Sequence, residues 1–311
     1  MRAITGSARP SCAAVLVALL ATAVLGTGTA SASHEPYSFV NRCPVDHPLF
    51  TQPAAGPETA NSICVTSNSS HGTFRLGDRR VTTGSSNLQF GVHFDENVME
   101  PGETVAFGGS LVAEPSYPPG GLLGIRLPDS PPSNPLQGIK NLINKGVFEG
   151  PAAVLGVRTR VLLAGQPSDF NLSAAASPNS GPVLNLPVMI RLEHPVLGRK
   201  CLIGSRANPI VLQPETDVAG DLTFIQDPLA PEIFAVRTTG GAQSDDAFAV
   251  PRARNCGPFG VLDPIVNEQL GLPLPEGGAE IRLLDASATL LGDNVEPFDP
   301  TQVRDRFHDH G

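Results

Sequence analysis

The sequence predicts a mainly β fold, in which antiparallel strands form a β-sandwich or Greek-key sheets with two short helices and stapling disulfide bonds. One observation is the strand-like alternation of Leu184, Leu186, Val188, Ile190 and Leu192 with mostly polar residues. Another is the count of 31 prolines and 32 glycines, which disfavours long helices and makes turns frequent. The third is the even number of cysteines, four, that follow the N-terminal segment.

The first element in the chain is a predicted export signal over residues 1–32. Arg2 and Arg9 form a positively charged start, residues 13–25 are apolar, and the ASA sequence at residues 30–32 provides a cleavage site. We therefore expect a secreted protein without a membrane span after cleavage. Because cleavage removes two arginines and no acid, the formal net charge of −9 becomes −11, which disfavours nucleic acid and anionic membranes as partners.

Four cysteines remain after cleavage, namely Cys43, Cys64, Cys201 and Cys256. An even number in an exported chain indicates disulfide bonds, and four cysteines allow three different pairings. We favour Cys43 with Cys64 and Cys201 with Cys256, because each pair then closes a loop that is poor in core residues. Without a C-x-x-C spacing, the cysteines do not predict a zinc site.

Residues 33–114 form the predicted N-terminal β region. Five prolines between residues 36 and 57 make its first part irregular. Leu88, Phe90, Val92 and Phe94 then alternate with other residues as one face of a strand. Shorter strands are expected at residues 64–65, 73–76, 80–83 and 105–111, with a turn at residues 77–78.

A Pro/Gly-rich linker is predicted over residues 115–135, where the composition shifts sharply. The C-terminal β region, residues 136–291, is expected to begin with a short helix at residues 134–146, which Asn134 caps and Gly146 ends. A second short helix is predicted to start at Pro264, with Asp263 as its cap. Residues 292–311 are predicted to be an acidic, flexible tail.

The C-terminal region is organised around a predicted hairpin at residues 184–213. Its first strand is the alternating run, Pro195 and Gly198 break that run, and Ile210–Leu212 resumes as the second strand. Cys201 lies between the two strands and can tie the hairpin to a remote part of the chain. Further strands are expected at residues 157–163, 222–225, 233–236 and 279–291, with polar loops before residue 181 and at residues 240–246.

Several segments stand out together: Cys43-Pro44 near the mature start, CVTSNSSHGTF, PPGGLLGI, LPVMIRLEHPVLGRKCLIGSRANPIVL and CGPFGVLDPIVNEQLGLP. In this order they resemble a family of uncharacterised secreted proteins of actinobacteria. The resemblance implies export, an actinobacterial source, and one shared framework for Cys201 and Cys256. It implies no catalytic or ligand-binding residue, and the acidic tail after Leu291 departs from it.

No catalytic or metal-binding constellation is recognisable in the sequence. The G-x-S-x-G elbow of serine hydrolases is missing, and His93 and His194 are predicted to be surface histidines because neither has an assigned nucleophile and orienting acid. The acids at residues 95–103 and at Asp245 and Asp246 do not match a calcium loop and are expected to form solvated turns. We assign no catalytic residue, no metal ligand and no cofactor.

Three functions remain possible from the sequence. The first is a secreted, non-enzymatic extracellular or cell-envelope protein that binds an unknown partner through its surface, because motifs that carry chemistry are missing. The second is a protein that binds a small apolar ligand, with residues 121–125 lining a cleft. The third is a secreted hydrolase whose catalytic residues are dispersed along the chain.

Overall fold

The computed structural model of the chain describes residues 42–44, 47–48, 61–94, 103–118, 156–227 and 230–293. These residues form two antiparallel sheets and two α-helices, stapled by two disulfide bonds. The mainly β, disulfide-stapled sandwich predicted from the sequence is confirmed. Outside the described residues lie the predicted signal peptide, residues 119–135 of the predicted linker, the predicted helix at residues 134–146, and the tail from residue 294.

In chain order the strands are β1 (Asn61–Leu76), β2 (Arg79–Thr83), β3 (Ser86–Phe94), β4 (Glu103–Val105), β5 (Leu111–Ala113), β6 (Arg158–Leu163), β7 (Leu186–Glu193), β8 (Leu202–Ile203), β9 (Ile210–Leu212), β10 (Glu215–Val218), β11 (Asp221–Asp227), β12 (Ala230–Asp245), β13 (Ala253–Arg254) and β14 (Ala279–Asp293). The helices are α1 (Leu172–Ala176) and α2 (Asp263–Leu270), and a 3-10 turn spans Pro258–Gly260. Nine strands form the larger sheet, whereas β6, β7, β8, β9 and β13 form the smaller one.

The larger sheet runs in the order β10-β12-β14-β1-β3-β4, and β2, β5 and β11 pair along its sides. Its centre is the antiparallel pair of β1 and β14, which are the first and last strands of the described chain. Their register runs from Cys64 opposite Leu291 to Leu76 opposite Ala279. Strands of the predicted N-terminal and C-terminal β regions therefore share one sheet.

Strand β1 is continuous, whereas the sequence predicts two shorter strands there. Its middle, SNSSHG, shows no apolar alternation, but β14 pairs with this segment along its length, so tertiary pairing overrides the local pattern. The first half of β1 also pairs with β3 and the second half with β2. At Gly72 a Cβ atom would collide with the carbonyl oxygen of Arg282, so the close approach of β14 requires glycine.

The predicted hairpin is present, because β7 and β9 pair antiparallel with Leu186 opposite Leu212. Strand β8 also joins β7, and with only two residues it is too short to show an alternating pattern. The disulfide Cys201–Cys256 ties the residue before β8 to the segment before α2, and Cys43–Cys64 ties the N-terminal arm to β1. These are the pairings favoured from the sequence. Two disulfide bonds indicate an oxidising, non-cytoplasmic setting.

Helix α2 lies where the sequence predicts it, and Gly271 ends it in the left-handed conformation with φ 66°. The predicted cap is wrong, because Leu262 occupies the cap position. The Asp263 carboxylate instead accepts hydrogen bonds from the backbone N–H groups of Cys256 (2.6 Å) and Asn255 (3.2 Å). The sequence does not predict α1, since LSAAA carries no amphipathic pattern. Within the described residues, no helix is long and apolar enough to cross a membrane.

Two clusters of buried side chains form the core. The larger lies between the sheets, where Ile190 of the smaller sheet belongs to a cluster joined by Phe74 and Ile281 of the larger sheet. In the second cluster, the segment around α1 packs on the first half of β1 and on β3. There the rings of Phe90 and Phe170 meet edge to face, with centroids 5.5 Å apart. The two halves of β1 therefore face different packing partners.

Candidate functional site

A cavity of about 290 Å³ lies between the two sheets. Apolar side chains from the second half of β1 and its neighbours line it on the larger sheet, including Phe74, Leu76, Val81 and Ile281. Phe74 lies directly opposite both Val81 on β2 and Ile281 on β14, so these three residues form one row across the sheet. Residues opposite each other on neighbouring strands share a face, and the row is therefore one continuous apolar wall.

The smaller sheet supplies the opposite wall. Its lining residues occupy alternate positions of β7 and inward positions of β8 and β9, as expected for strands with one buried face. They are at most 6 % exposed: Val188, Ile190, Leu192, Ile203, Ile210 and Leu212. Leu270 of α2 also contributes to the lining. The cavity therefore lies among core residues.

The charged residues of the lining all belong to the turn between β1 and β2 or to the start of β2. They are Asp78, Arg79 and Arg80. Asp78 and Arg80 are exposed, so the cavity reaches solvent at this turn. The Nε of Arg79 donates to the carbonyl oxygen of Gln269 at 3.1 Å, which anchors the turn to α2. Elsewhere, the described lining has no titratable side chain.

One polar atom of the lining has no partner within the described structure. The Thr83 hydroxyl is buried and makes no hydrogen bond. The Thr159 hydroxyl, also in the lining, donates to the carbonyl oxygen of Ser116 at 3.1 Å. An unpartnered buried hydroxyl costs about 1–3 kcal/mol, so Thr83 is a place where a ligand could gain a hydrogen bond.

A second apolar groove, of about 450 Å³, lies over the other end of the larger sheet. Its floor includes Val65, Leu290 and Val236, which are aligned across β1, β14 and β12, and residues of α1 also line it. Its described lining contains no acidic residue, no basic residue and no histidine. On β11, Leu222 and Phe224 are 56 % and 75 % exposed.

The two histidines weighed as catalytic bases line neither apolar site. His194 is 5 % exposed, so the prediction of a surface histidine is wrong there. Its Nδ1 accepts a hydrogen bond from the Val196 N–H at 3.2 Å and so helps to form the turn after β7. His93 is half-buried on β3, opposite Ser62 of β1 and Glu103 of β4.

A surface trio of serine, histidine and aspartate lies where β1 meets β14. Ser70 Oγ lies 3.0 Å from His71 Nδ1 and donates to Asp285 Oδ2 at 2.8 Å. The serine therefore lies between the other two, whereas a hydrolytic triad needs the imidazole between nucleophile and carboxylate. The trio cannot be predicted from the sequence, because only long-range pairing of β1 with β14 brings Asp285 to Ser70.

The acidic residues weighed as calcium ligands do not form a metal site within the described part of the chain. Asp245 is 6 % exposed and accepts hydrogen bonds from the N–H groups of Gln213 (2.6 Å) and Ala247 (2.9 Å), so the predicted solvated turn is wrong for this residue. No group of three or more His, Cys, Asp or Glu side chains converges there. Residues 95–102 and the predicted cleft lining at 121–125 lie outside the described residues.

Comparison with known protein families, with curated proteins and with solved structures found no match to this chain. The resemblance to secreted proteins of actinobacteria therefore stays a prediction. Export from the cell stays a prediction as well, beyond the oxidising setting that the disulfide bonds indicate.

Proposed function

We propose that this protein is an exported, non-catalytic binding protein that holds a small apolar molecule in the cavity between its two sheets. The observation that carries the proposal is the cavity itself, about 290 Å³ walled by buried apolar side chains. Export is supported by the two disulfide bonds and by the signal sequence predicted over residues 1–32. Binding is favoured over hydrolysis because the described wall away from the β1–β2 turn offers no acid, base or nucleophile pair.

The cavity is too large to be an ordinary packing defect. Protein interiors are packed to a density of about 0.75 and contain few voids larger than a water molecule. Water gains little in such a space, because it needs at least two polar partners. The volume is about twice the roughly 150 Å³ of an engineered core cavity that binds benzene. A molecule with one or two rings, or a short aliphatic chain, would fit and would gain about 25 cal/mol per Å² of apolar surface buried.

The Thr83 hydroxyl indicates which polar group the ligand would carry. Its hydroxyl is the buried polar atom of the lining that has no partner in the described structure. A ligand with a single hydroxyl or carbonyl group would pair with it and remove the cost of the unmade hydrogen bond. Any charged group on the ligand would have to lie at the β1–β2 turn, beside Asp78 and Arg80.

Val81 offers the direct test of this function. Its side chain lines the cavity but is not among those packed against the core cluster, so Val81→Phe would fill empty space. We expect this variant to bind the neutral fluorescent probe N-phenyl-1-naphthylamine about tenfold or more weakly, equivalent to roughly 1.4 kcal/mol. Titration of probe fluorescence measures the affinity, and urea unfolding confirms that the variant is folded.

Val211→Phe is the matched control, because Val211 is 40 % exposed on β9 and does not line the cavity. It should bind the probe as the unmodified protein does. If Val81→Phe and Val211→Phe bound the probe with equal affinity, the cavity would not be the binding site and the proposal would be wrong. If Leu222→Ser were the one variant that lost probe binding, the binding site would be the second apolar groove, which Leu222 lines.

Surface binding to an extracellular or cell-envelope partner is the second candidate. Among the described strands, β11 pairs only with β12 and so leaves one edge open. Phe224 on this edge strand is 75 % exposed. An extended apolar segment of a partner protein would add to the open edge through backbone hydrogen bonds. Phe224→Ser would then weaken that association and leave probe binding in the cavity unchanged.

A further inference from the structure

The outer face of the smaller sheet carries a cluster of arginines. Arg158 and Arg160 alternate along β6 with residues such as Val161 that line the cavity, so they point to the opposite side. Arg191 of β7 lies directly opposite Arg160, and Glu193 lies directly opposite Arg158. Three guanidinium groups of β6 and β7 therefore lie together on this face with one carboxylate, and Arg254 of β13 is aligned with Arg191 across Leu202.

Within the described structure, the charges of this cluster are poorly compensated. Glu193 Oε2 lies 3.8 Å from Arg158 Nε and 3.5 Å from Arg160 Nε, both longer than a good hydrogen bond. Arg191 forms no ion pair with the described residues, and the Nε atoms of all three arginines are buried without a hydrogen-bond partner. Like charges directly opposite each other destabilise a sheet. The arrangement therefore costs free energy.

We propose that this arginine cluster, Arg158, Arg160 and Arg191, binds the phosphate group of a small molecule. Guanidinium groups are planar forks that donate two hydrogen bonds at once to phosphate oxygens. A phosphate group carries about −1.5 to −2 charges near pH 7, which offsets the excess of guanidinium groups over carboxylate. Placed between Arg160 and Arg191, it would accept hydrogen bonds from both and remove their repulsion.

The charge of the whole chain limits the size of this ligand. The formal net charge is −9, so the surface beyond the cluster repels a long polyanion. A compact phosphate or phosphomonoester meets only the local positive charge. Because the cluster and the cavity lie on opposite faces of the smaller sheet, this site is independent of the proposed apolar ligand.

The test is calorimetric titration of the protein at low ionic strength with inorganic phosphate and, separately, with glycerol phosphate. We expect saturable binding of at least one probe, and an affinity that falls as added sodium chloride screens the charges. Arg191→Gln and Arg160→Gln should each weaken this binding about tenfold or more. The probe that binds more tightly identifies the source as free phosphate or a phosphomonoester.

Arg206→Gln is the matched control, because Arg206 is exposed on the turn between β8 and β9, outside the cluster. The probe that binds should raise the Tm of this control and of the unmodified protein, but not that of Arg191→Gln. Without phosphate, Arg191→Gln should be at least as stable as the unmodified protein, because it loses the repulsion with Arg160. The proposal is overturned if neither probe binds, or if both cluster variants bind phosphate as the unmodified protein does.

Discussion

Glu280 on β14 is held between two arginines. Arg75, directly opposite on β1, donates to its carboxylate at 3.0 Å, and Arg282 donates at 2.7 Å. These hydrogen bonds, above all that from Arg75, lower the pKa of Glu280 below its ordinary value. The ionised carboxylate therefore contributes to the pairing of the two central strands of the larger sheet.

Glu280→Gln tests this contribution through its pH dependence. Because the folded pKa lies below the unfolded value of about 4.3, the stabilisation is fully present above that unfolded value and is lost as the pH falls through the folded pKa. We expect the variant to have a lower free energy of unfolding at pH 7 than the unmodified protein, with the difference shrinking as the pH falls below about 4. Urea unfolding across this range measures it, and a difference of constant size would contradict the assignment.

The burial of His194 and Asp245 could not be predicted from the sequence. Each lies beside turn signals and is polar, which favours exposure, yet they are 5 % and 6 % exposed. Their burial is tolerated because backbone N–H groups donate to both side chains. Val196 and Ala247 are local partners two residues along the chain, but the long-range partner has no mark in the sequence, since Gln213 reaches Asp245 only after the chain has folded.

At the scale of elements, Asn267 joins helix α2 to strand β13. Its side-chain oxygen accepts from the Ala253 N–H at 2.7 Å, and its Nδ2 donates to the carbonyl oxygens of Ala253 (3.0 Å) and Asp263 (2.8 Å). The residue is 7 % exposed, so water has little access to these bonds. The position of α2 beside the smaller sheet therefore depends on one carboxamide as well as on apolar packing.

Asn267→Ala removes the carboxamide that pairs with the backbone N–H and carbonyl oxygen of Ala253. We expect the free energy of unfolding to fall by about 1–3 kcal/mol, the cost of unsatisfied buried groups. Glu268→Ala is the control, because Glu268 is exposed on the same helix and should change stability by no more than about 0.5 kcal/mol. Urea unfolding compares the two variants, and equal losses would show that the carboxamide contributes nothing specific.

Strands with alternating apolar residues and a helix with a clear start signal were predictable from the sequence. Strands that form only because other strands pair with them were not. The alternating apolar residues give β3, β6 and β7, and the aspartate-proline start gives α2. Strand β12 instead runs through residues 240–245, which the sequence predicts as a polar loop, because β10 and β14 pair with it there. A register shift near Gly241 accommodates the irregular sequence.

Across the whole molecule, the pairing of β1 with β14 makes the first and last described strands neighbours. The two antiparallel sheets and the two disulfide bonds agree with the mainly β, disulfide-stapled fold predicted from the sequence. The cavity could not be predicted from the sequence. Alternating apolar residues indicate which side chains face inward, such as Ile190 and Phe74, but they do not show whether the two walls touch. Its volume depends on the separation of the sheets, which no local pattern encodes.

The most direct test of the proposed apolar site is an NMR measurement of contacts between bound N-phenyl-1-naphthylamine and protein methyl groups. At saturation, the proposal predicts contacts to both cavity walls, with Val81 on the larger sheet and Ile190 and Ile210 on the smaller one. Contacts confined to Leu222 and Val236 in the open groove, or no contacts to any methyl group, would contradict it.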